Sequence, residues 1–147
     1  MDKNRYDNEL HVSFSAISSN ESTARMIAAA FITNINPTIE ELSDIRTAVS
    51  EAVTNSIVHG YQNGLGLVYM DMYLKDMQIT VIVRDEGCGI ADIAEARKPF
   101  FTTLPHMERT GMGFAVMEAF MDTLFVESTL GSGTTVTMTK LLGEKNA

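Results

Sequence analysis

The sequence predicts a single α/β domain in which helices cover one face of a mixed, mostly antiparallel sheet. Three observations support this prediction. A length of 147 residues is typical of one domain. The hydrophobic patterns follow the order β, α, α, β, β, loop, α, β, β along the chain. Short turns join consecutive strands, and strands joined in this way pair antiparallel, with the helices left to cover one face.

The N-terminal part is predicted to hold one strand and the start of two helices. Apolar residues alternate with polar ones over residues 10–16, which is typical of a half-buried strand. Ser18 and Glu21 have the spacing of a capping box, so a helix is expected to begin there and run to about residue 35. Thr38 and Glu41 repeat this spacing at the start of a second helix.

The second helix is followed by a predicted hairpin and a C-terminal pair of strands. Apolar residues at spacings of three and four continue to Ile57, and Gly60 is expected to end the helix. Strands are predicted at 67–74 and 77–84, with Lys75-Asp76 as the turn. The rest of the chain is predicted to contain a short helix, a loop, a helix and two strands, at residues 92–97, 99–107, 113–121, 123–127 and 134–141.

Composition and charge exclude several classes of protein. The net charge of −8 repels nucleic-acid phosphates, so direct nucleic-acid binding is not expected. The longest apolar run, residues 26–32, is far shorter than the about 18 residues needed to cross a bilayer. Cys88 is the only cysteine, which excludes an intrachain disulfide and favours the cytoplasm, and the scattered histidines make no metal cluster.

The glycines form three small clusters, at residues 85–89, 109–113 and 131–135. The second cluster holds Arg109, Gly111 and Gly113 directly before a predicted helix. A helix N-terminus favours an anion, and an arginine adds a forked, charged donor, so a phosphate site is one interpretation. A tight loop with a solvated arginine is the other. The third cluster, taken alone, is more simply a hairpin turn.

Two further sets of polar residues are candidates for chemistry. Asp85 ends a strand and is followed by Gly87 and Gly89, so its carboxylate either accepts an exocyclic N–H of adenine or closes an Asx turn. Glu51 and Asn55 lie four residues apart on one helix face. This face is either solvated or functional, with the Asn55 amide oxygen as a Mg²⁺ ligand and Glu51 as a base.

Taken together, these motifs resemble the N, G1, G2 and G3 boxes of the GHKL ATPases. The matching segments occur in the family's order, as Glu51-x-x-x-Asn55, Asp85-x-Gly87-x-Gly89, Gly111-x-Gly113 and Gly131-x-Gly133-Thr134. The resemblance implies a two-layer α/β sandwich of the Bergerat type, a lid over the nucleotide and binding of ATP with Mg²⁺.

Longer segments are similar to one branch of this superfamily, the bacterial anti-sigma serine kinases. Residues 50–61 and 95–103 look like these kinases, and residues 111–122 are similar to their sporulation members. The resemblance implies a homodimer that, with ATP, holds a sporulation sigma factor away from RNA polymerase. It also implies phosphorylation of a serine on an anti-anti-sigma protein. The alternatives are an ATP-gated sigma-binding module without kinase activity and a histidine-kinase-like catalytic domain.

The resemblance also implies a role for each matching residue. Glu51 would orient or deprotonate the substrate serine, Asn55 would hold Mg²⁺, and Asp85 would recognise the adenine amine. The other expected nucleotide-site residues shape the base pocket, lie in the lid, hold the terminal phosphates or support adenine recognition; they are Gly87 and Gly89, Thr102 and Thr103, Arg109, Gly111 and Gly113, and Thr134 or Thr135.

One expected partner contact rests on charge rather than on the motifs. Arg25 lies among apolar residues of the first helix in a chain that is otherwise strongly acidic. It is therefore expected either to dock an acidic partner or to be simply solvated. The first strand is a candidate dimer edge, because an alternating edge strand exposes unpaired backbone groups.

Overall fold

The structure, a computed structural model, describes residues 5–98 and 113–143. Within these ranges, one five-stranded sheet has the order β1-β2-β3-β5-β4, and four α-helices and one π-helical turn accompany it. The elements are β1 (Asn8–Ser15), α1 (Ser19–Thr33), α2 (Ile39–Thr54), β2 (Leu67–Lys75), β3 (Gln78–Asp85), α3 (Ile93–Ala96), α4 (Gly113–Phe120), β4 (Thr123–Thr129) and β5 (Gly133–Leu141).

The predicted α/β class is confirmed, with one difference in the sheet. All four strand pairs of the described chain are antiparallel, so the expected mixed character is not found there. The reason is the path of the last hairpin. β4 forms the edge, and β5 returns between β3 and β4, which makes both ladders of β5 antiparallel.

The core lies between one face of the sheet and the helices. Every second residue of β2 and β3 is buried, and the residues between these buried positions are half-buried. This period of two follows from the pleat, which directs successive side chains to opposite faces. The apolar faces of α1, α2 and α4 complete the core with Ala24, Ala28, Ile32, Ile45, Val49, Val53, Phe114 and Met117. Within the described ranges, no helix is both long and apolar enough to cross a membrane.

The start of α2 confirms one of the two predicted capping boxes. The Glu41 N–H donates to Thr38 Oγ1 at 3.0 Å, and the Thr38 N–H donates to Glu41 Oε1 at 2.8 Å. The other carboxylate oxygen of Glu41 accepts the N–H of Gly143 at 2.8 Å. The cap of α2 therefore also fixes the chain just beyond β5.

The capping box predicted at the start of α1 is wrong. Ser18 has helical angles, φ −59° and ψ −31°, and its side chain makes no capping hydrogen bond. A capping serine has extended angles, which turn its hydroxyl toward the free N–H groups of the first turn. The carboxylate of Glu21 instead accepts a hydrogen bond from Nε of Arg25, one turn further along α1.

The end of the second helix also differs from the prediction. The α-helix ends at Thr54 and continues as a π-helical turn over Asn55–Gly60. Gly60 has no positive φ, so it is not a left-handed helix cap. A π-helical turn is rare and frequently lies at a functional site. In this protein it carries Asn55 at the end of α2 toward the segment that follows β3.

The β2–β3 hairpin turns one residue later than predicted. Asp76 and Met77 have φ values of 49° and 66°, the left-handed pair of a two-residue type I′ turn. Such a turn matches the twist of the two strands it connects. Lys75 consequently belongs to β2, where it pairs with Gln78.

Candidate functional site

A cleft of about 320 Å³ lies between the π-helical turn, the segment after β3 and the start of α4. Four of the predicted nucleotide-site residues line it, although they are distant in sequence: Asn55, Gly89, Gly113 and Thr134. The other lining residues are His59, Gly60, Gln62, Cys88, Ile90, Ala91, Asp92, Glu95, Ala96, Phe114 and Leu130. This mixture of apolar walls and a few polar groups is typical of a small-molecule site.

The carboxylate of Asp85 is buried beside this cleft, with only 3% of the residue exposed. Burial raises the pKa of Asp85 above its usual value. Hydrogen bonds from the Gly87 N–H, the Ser56 hydroxyl and the Thr134 N–H oppose this shift of the pKa, as does the charge of Arg84. The Gly87 bond to Asp85 Oδ1 is 2.9 Å long. The carboxylate is therefore held in one orientation by three donors.

Two glycines make room for this carboxylate. A Cβ on Gly60 would lie 2.9 Å from Cγ and from both carboxylate oxygens of Asp85. A Cβ on Gly87 would lie 2.1 Å from the carbonyl oxygen of Gly60. The π-helical turn and the segment after β3 thus approach each other more closely than any side chain would allow. Gly87 acts through this packing and its N–H, and it is not among the residues that line the cleft.

The glycine turn before β5 is fixed against the same segment. Gly89 has φ +77°, and a Cβ there would lie 2.3 Å from the carbonyl oxygen of Thr129. The Gly131 N–H donates to the Cys88 carbonyl at 2.6 Å. A Cβ on Gly133 would lie 2.1 Å from the carbonyl oxygen of Asp85. The turn is therefore a hairpin turn, as its sequence suggested, and also one wall of the site.

The structure distinguishes between Thr134 and Thr135. From Thr134 to Lys140 of β5, the even-numbered positions are buried and the odd-numbered ones are half-buried, because the pleat alternates them between the two faces. Thr134 faces the cleft and is 4% exposed. Thr135 faces the opposite side of the sheet, between Arg84 and Glu127 of the neighbouring strands. Of the two threonines expected to support adenine recognition, Thr134 is thus the one that lines the cleft, and Thr135 does not.

Glu51 lies at the boundary between the cleft and a second depression. This groove, of about 340 Å³, is formed by Arg25, Ser43, Arg46, Thr47, Ser50 and Glu51. Glu51 is not among the lining residues of the cleft. Its Oε1 atom would lie 3.6 Å from a Cβ on Gly113, however, so its carboxylate is close to the edge of the cleft. Arg25 and Glu51, predicted for different purposes, share one groove.

The part of the chain that the structure describes holds no group of three or more His, Cys, Asp or Glu that would by itself bind a metal ion. Mg²⁺ takes few protein ligands and completes its shell with substrate phosphates and water. Asn55 offers a hard amide oxygen at the cleft wall. The donor set therefore suits a magnesium ion that arrives with a nucleotide.

Residues 14–140 match the model of the histidine kinase-like ATPase domain family. The chain is 51% identical to the anti-sigma F factors of Bacillus subtilis and Bacillus licheniformis, over 95% of this chain and 97% of each relative. It is 52% identical, with the same coverage, to that of Geobacillus thermodenitrificans. The chain belongs to the anti-sigma F factor family.

A solved structure supports the fold of this anti-sigma F family member. The crystal structure of the RsbU and RsbW domains of Rv1364c from Mycobacterium tuberculosis superposes with a TM-score of 0.67. It is 22% identical and covers 92% of this chain and 32% of that one, so the likeness concerns the fold alone. The predicted GHKL-type ATPase fold is confirmed, and an ATPase domain implies a site for ATP.

Four predicted residues of this family member lie outside the described residues: Thr102, Thr103, Arg109 and Gly111. In the other direction, sequence analysis did not select Ser56, which donates to the Asp85 carboxylate, or Gly60, which leaves room for it. Ser56 directly follows Asn55 in the sequence, and the sequence pattern at Gly60 indicates only the end of a helix. Cys88, the single thiol, is exposed and lines the cleft, with Sγ donating to the His59 carbonyl at 3.1 Å.

Proposed function

We propose that the protein is an ATP-dependent anti-sigma factor and protein serine kinase. With ATP bound, it holds a sporulation sigma factor, sigma F, away from RNA polymerase. It also transfers the γ-phosphate to a serine of an anti-anti-sigma protein. The observation that carries this proposal is that Asn55 and Thr134 line one cleft, while the Asp85 carboxylate is buried against Thr134 and the Glu51 carboxylate lies near the edge of the cleft.

The end of the cleft beside Asp85 and Thr134, called the base end, supports adenine as the ligand. An ionised Asp85 only accepts hydrogen bonds, and the exocyclic amine of adenine donates one. Asn55, Gly89 and Gly113 would face the sugar and phosphates. Gly113 begins α4, whose N-terminal N–H groups favour an anion. Arg109 and Gly111 are proposed to hold the terminal phosphates, with Thr102 and Thr103 in the lid and Gly87 shaping the pocket.

The transfer step is proposed to depend on position and charge, as is usual for phosphoryl transfer. The serine oxygen attacks the γ-phosphorus, its proton passes to Glu51, and the bond to the ADP oxygen breaks. Asn55 would contribute its amide oxygen to Mg²⁺, which supplies neutralisation of the phosphate charge when bound. Glu51 suits the role of base because its carboxylate lies near Gly113 and also borders the groove, from which a substrate can approach.

The groove beside Glu51 is proposed to be part of the partner surface. Arg46 and Arg25, the latter paired with the Glu21 carboxylate, bring two guanidinium groups to a groove that also holds Glu51, in a chain of net charge −8. An acidic partner would therefore be attracted to this part of the surface more than to the rest. An Arg25→Glu variant should lose both the sigma factor and the anti-anti-sigma protein, and full capture of both would disprove this role.

We further propose a homodimer that uses the open edge of β1.

The test is a capture experiment with the purified chain, the sigma factor and the anti-anti-sigma protein. With Mg-ATP, the sigma factor should be retained and the anti-anti-sigma protein should gain acid-stable phosphate. Mg-ADP should support neither result. Glu51→Ala should bind ATP normally but lose most phosphotransfer, because a general base typically contributes about 10²–10⁴-fold. Glu40→Ala, an exposed glutamate in the first turn of the same helix, is the matched control.

One observation favours a second candidate, an ATP-gated sigma-binding module without kinase activity. Glu51 lines the groove and is not among the residues that line the cleft. Retention of the sigma factor without any phosphorylated product, together with an unchanged Glu51→Ala variant, would support this alternative. Failure to retain a sigma factor in either nucleotide would contradict both candidates.

A further inference from the structure

We propose that Ser128 is a specificity-determining positioning residue of the cleft. It fixes the hydroxyl hydrogen of Thr134 so that the base end of the cleft presents only hydrogen-bond acceptors. A purine with a 6-amino group is then accepted, and a purine with a 6-oxo group is rejected. This inference deepens the proposed function, because it rests on ATP as the ligand of this cleft.

The hydrogen bonds of Ser128 determine where its single hydrogen goes. The Ile90 N–H donates to Ser128 Oγ at 2.7 Å, which uses one lone pair. Ser128 Oγ donates its hydrogen to the Gly133 carbonyl at 2.9 Å. Ser128 Oγ also lies 2.8 Å from Thr134 Oγ1. Because a serine hydroxyl has one hydrogen, the bond between the two hydroxyls is donated by Thr134.

The Thr134 hydroxyl can therefore offer only lone pairs toward the cleft. The Asp85 carboxylate beside it is also an acceptor, since it receives the Thr134 N–H. Both residues are almost completely buried, at 4% and 3% exposure. In such surroundings an unsatisfied or repulsive polar contact costs more than in water. An amine would donate hydrogen bonds to these two acceptors. An oxo group would instead place a third hydrogen-bond acceptor beside them.

Ser128 can affect a bound nucleotide only indirectly. It lies on β4, opposite Thr134 of β5, and it is not among the residues that line the cleft. Its effect on a nucleotide would therefore pass through Thr134. The hydrogen bonds to Ile90 and Gly133 leave it no second hydrogen with which to reverse the direction of the bond.

The experiment compares ATP with inosine triphosphate, whose base carries a 6-oxo group. Dissociation constants for both nucleotides are measured by calorimetry on the full chain. In Ser128→Ala the Thr134 hydroxyl can rotate and donate to the oxo group. The preference for ATP over inosine triphosphate should then fall by about ten-fold, the effect of one restored hydrogen bond. Ser128→Thr retains a hydroxyl and should keep the preference.

The matched control is Ser132→Ala, which removes an exposed hydroxyl from the same hairpin and should leave the ratio unchanged. A purely structural role for Ser128 would weaken both nucleotides equally, so an unchanged ratio overturns the inference. If Ser128→Ala does not fold, Thr134→Val removes the controlled hydroxyl itself and must also lower the preference. Failure of the unaltered protein to bind ATP would instead contradict the proposed function.

Discussion

Replacing Gly60 by alanine tests whether the site depends on close packing around one carboxylate. The added Cβ would lie 2.9 Å from Cγ, Oδ1 and Oδ2 of Asp85. Real Cβ contacts are essentially never under 3.0 Å, so something must shift. Gly60 cannot retreat easily, because its carbonyl accepts the Cys88 N–H at 2.8 Å and lies against Gly87. The group that moves is therefore expected to be the Asp85 carboxylate.

The expected magnitude follows from two opposing terms. Overpacking typically costs about 1–3 kcal/mol, and moving Asp85 also strains its bonds from buried donors. Alanine at a helical position is favoured over glycine by up to about 1 kcal/mol. The net effect on the free energy of unfolding should be a modest loss. The effect on ATP should be larger, a weakening of about ten-fold or more, because one charged hydrogen bond depends on the position of the carboxylate.

The assay combines urea unfolding with calorimetric ATP binding in a double-mutant cycle. Asp85→Ala removes all three atoms that the new Cβ would touch. The stability cost of Gly60→Ala should therefore largely disappear in the Asp85→Ala background. Gly113→Ala is the control for unfolding, since its Cβ would make only an ordinary contact, 3.6 Å from Glu51. An equal cost of Gly60→Ala in both backgrounds, or ATP affinity within two-fold of the original, would refute the reasoning.

Three further substitutions test other parts of the structure. Asp85→Asn should weaken ATP binding by about ten-fold or more, and equal affinity by calorimetry would remove the adenine assignment. Hydrogen bonds that the His11 ring donates to the carboxylates of Glu9 and Asp71 raise the pKa of His11. The stabilisation that these bonds give is therefore full below pH 6.5 and is lost as the pH rises through the raised pKa. The difference in unfolding free energy between the protein and His11→Gln should shrink as the pH rises from 6.5 through the raised pKa. A difference that stays constant over this pH range would contradict the role of His11. Lys140→Met should lower the free energy of unfolding in urea by about 1–3 kcal/mol. The buried Lys140 ammonium donates to the Phe120 carbonyl at 2.9 Å and lies 3.4 Å from the Asp44 carboxylate. An unchanged midpoint of urea unfolding would contradict this role.

Local sequence patterns predicted the ends of the helices well where the hydrogen-bonding partners are near in sequence and no other side chain competes for them. Thr38 and Glu41 form the expected capping box, whereas Ser18 and Glu21, with the same spacing, do not. The difference lies in competition, because the Glu21 carboxylate has an arginine one turn away along α1. A spacing rule contains no information about such a competitor.

The candidate site was predictable as a set of motifs, but its internal geometry was not. Asn55, Gly89, Gly113 and Thr134 do share one cleft, as the order of the motifs implied. The choice of Thr134 over Thr135 depends on the register of β5, which the sequence alone left open. The position of Glu51 in the groove depends on how α1 and α2 pack together, which involves contacts between distant segments.

The glycines near Asp85 explain how an acidic side chain can be buried at the base of a cleft. A carboxylate out of water is costly unless donors surround it closely. Here two of the donors are backbone N–H groups, from Gly87 and Thr134, and they come from different segments. Those segments meet only because Gly60, Gly87 and Gly133 lack side chains at contacts of 2.9, 2.1 and 2.1 Å. At this end of the cleft, the three glycines thus act by allowing three backbone segments to enclose one charge.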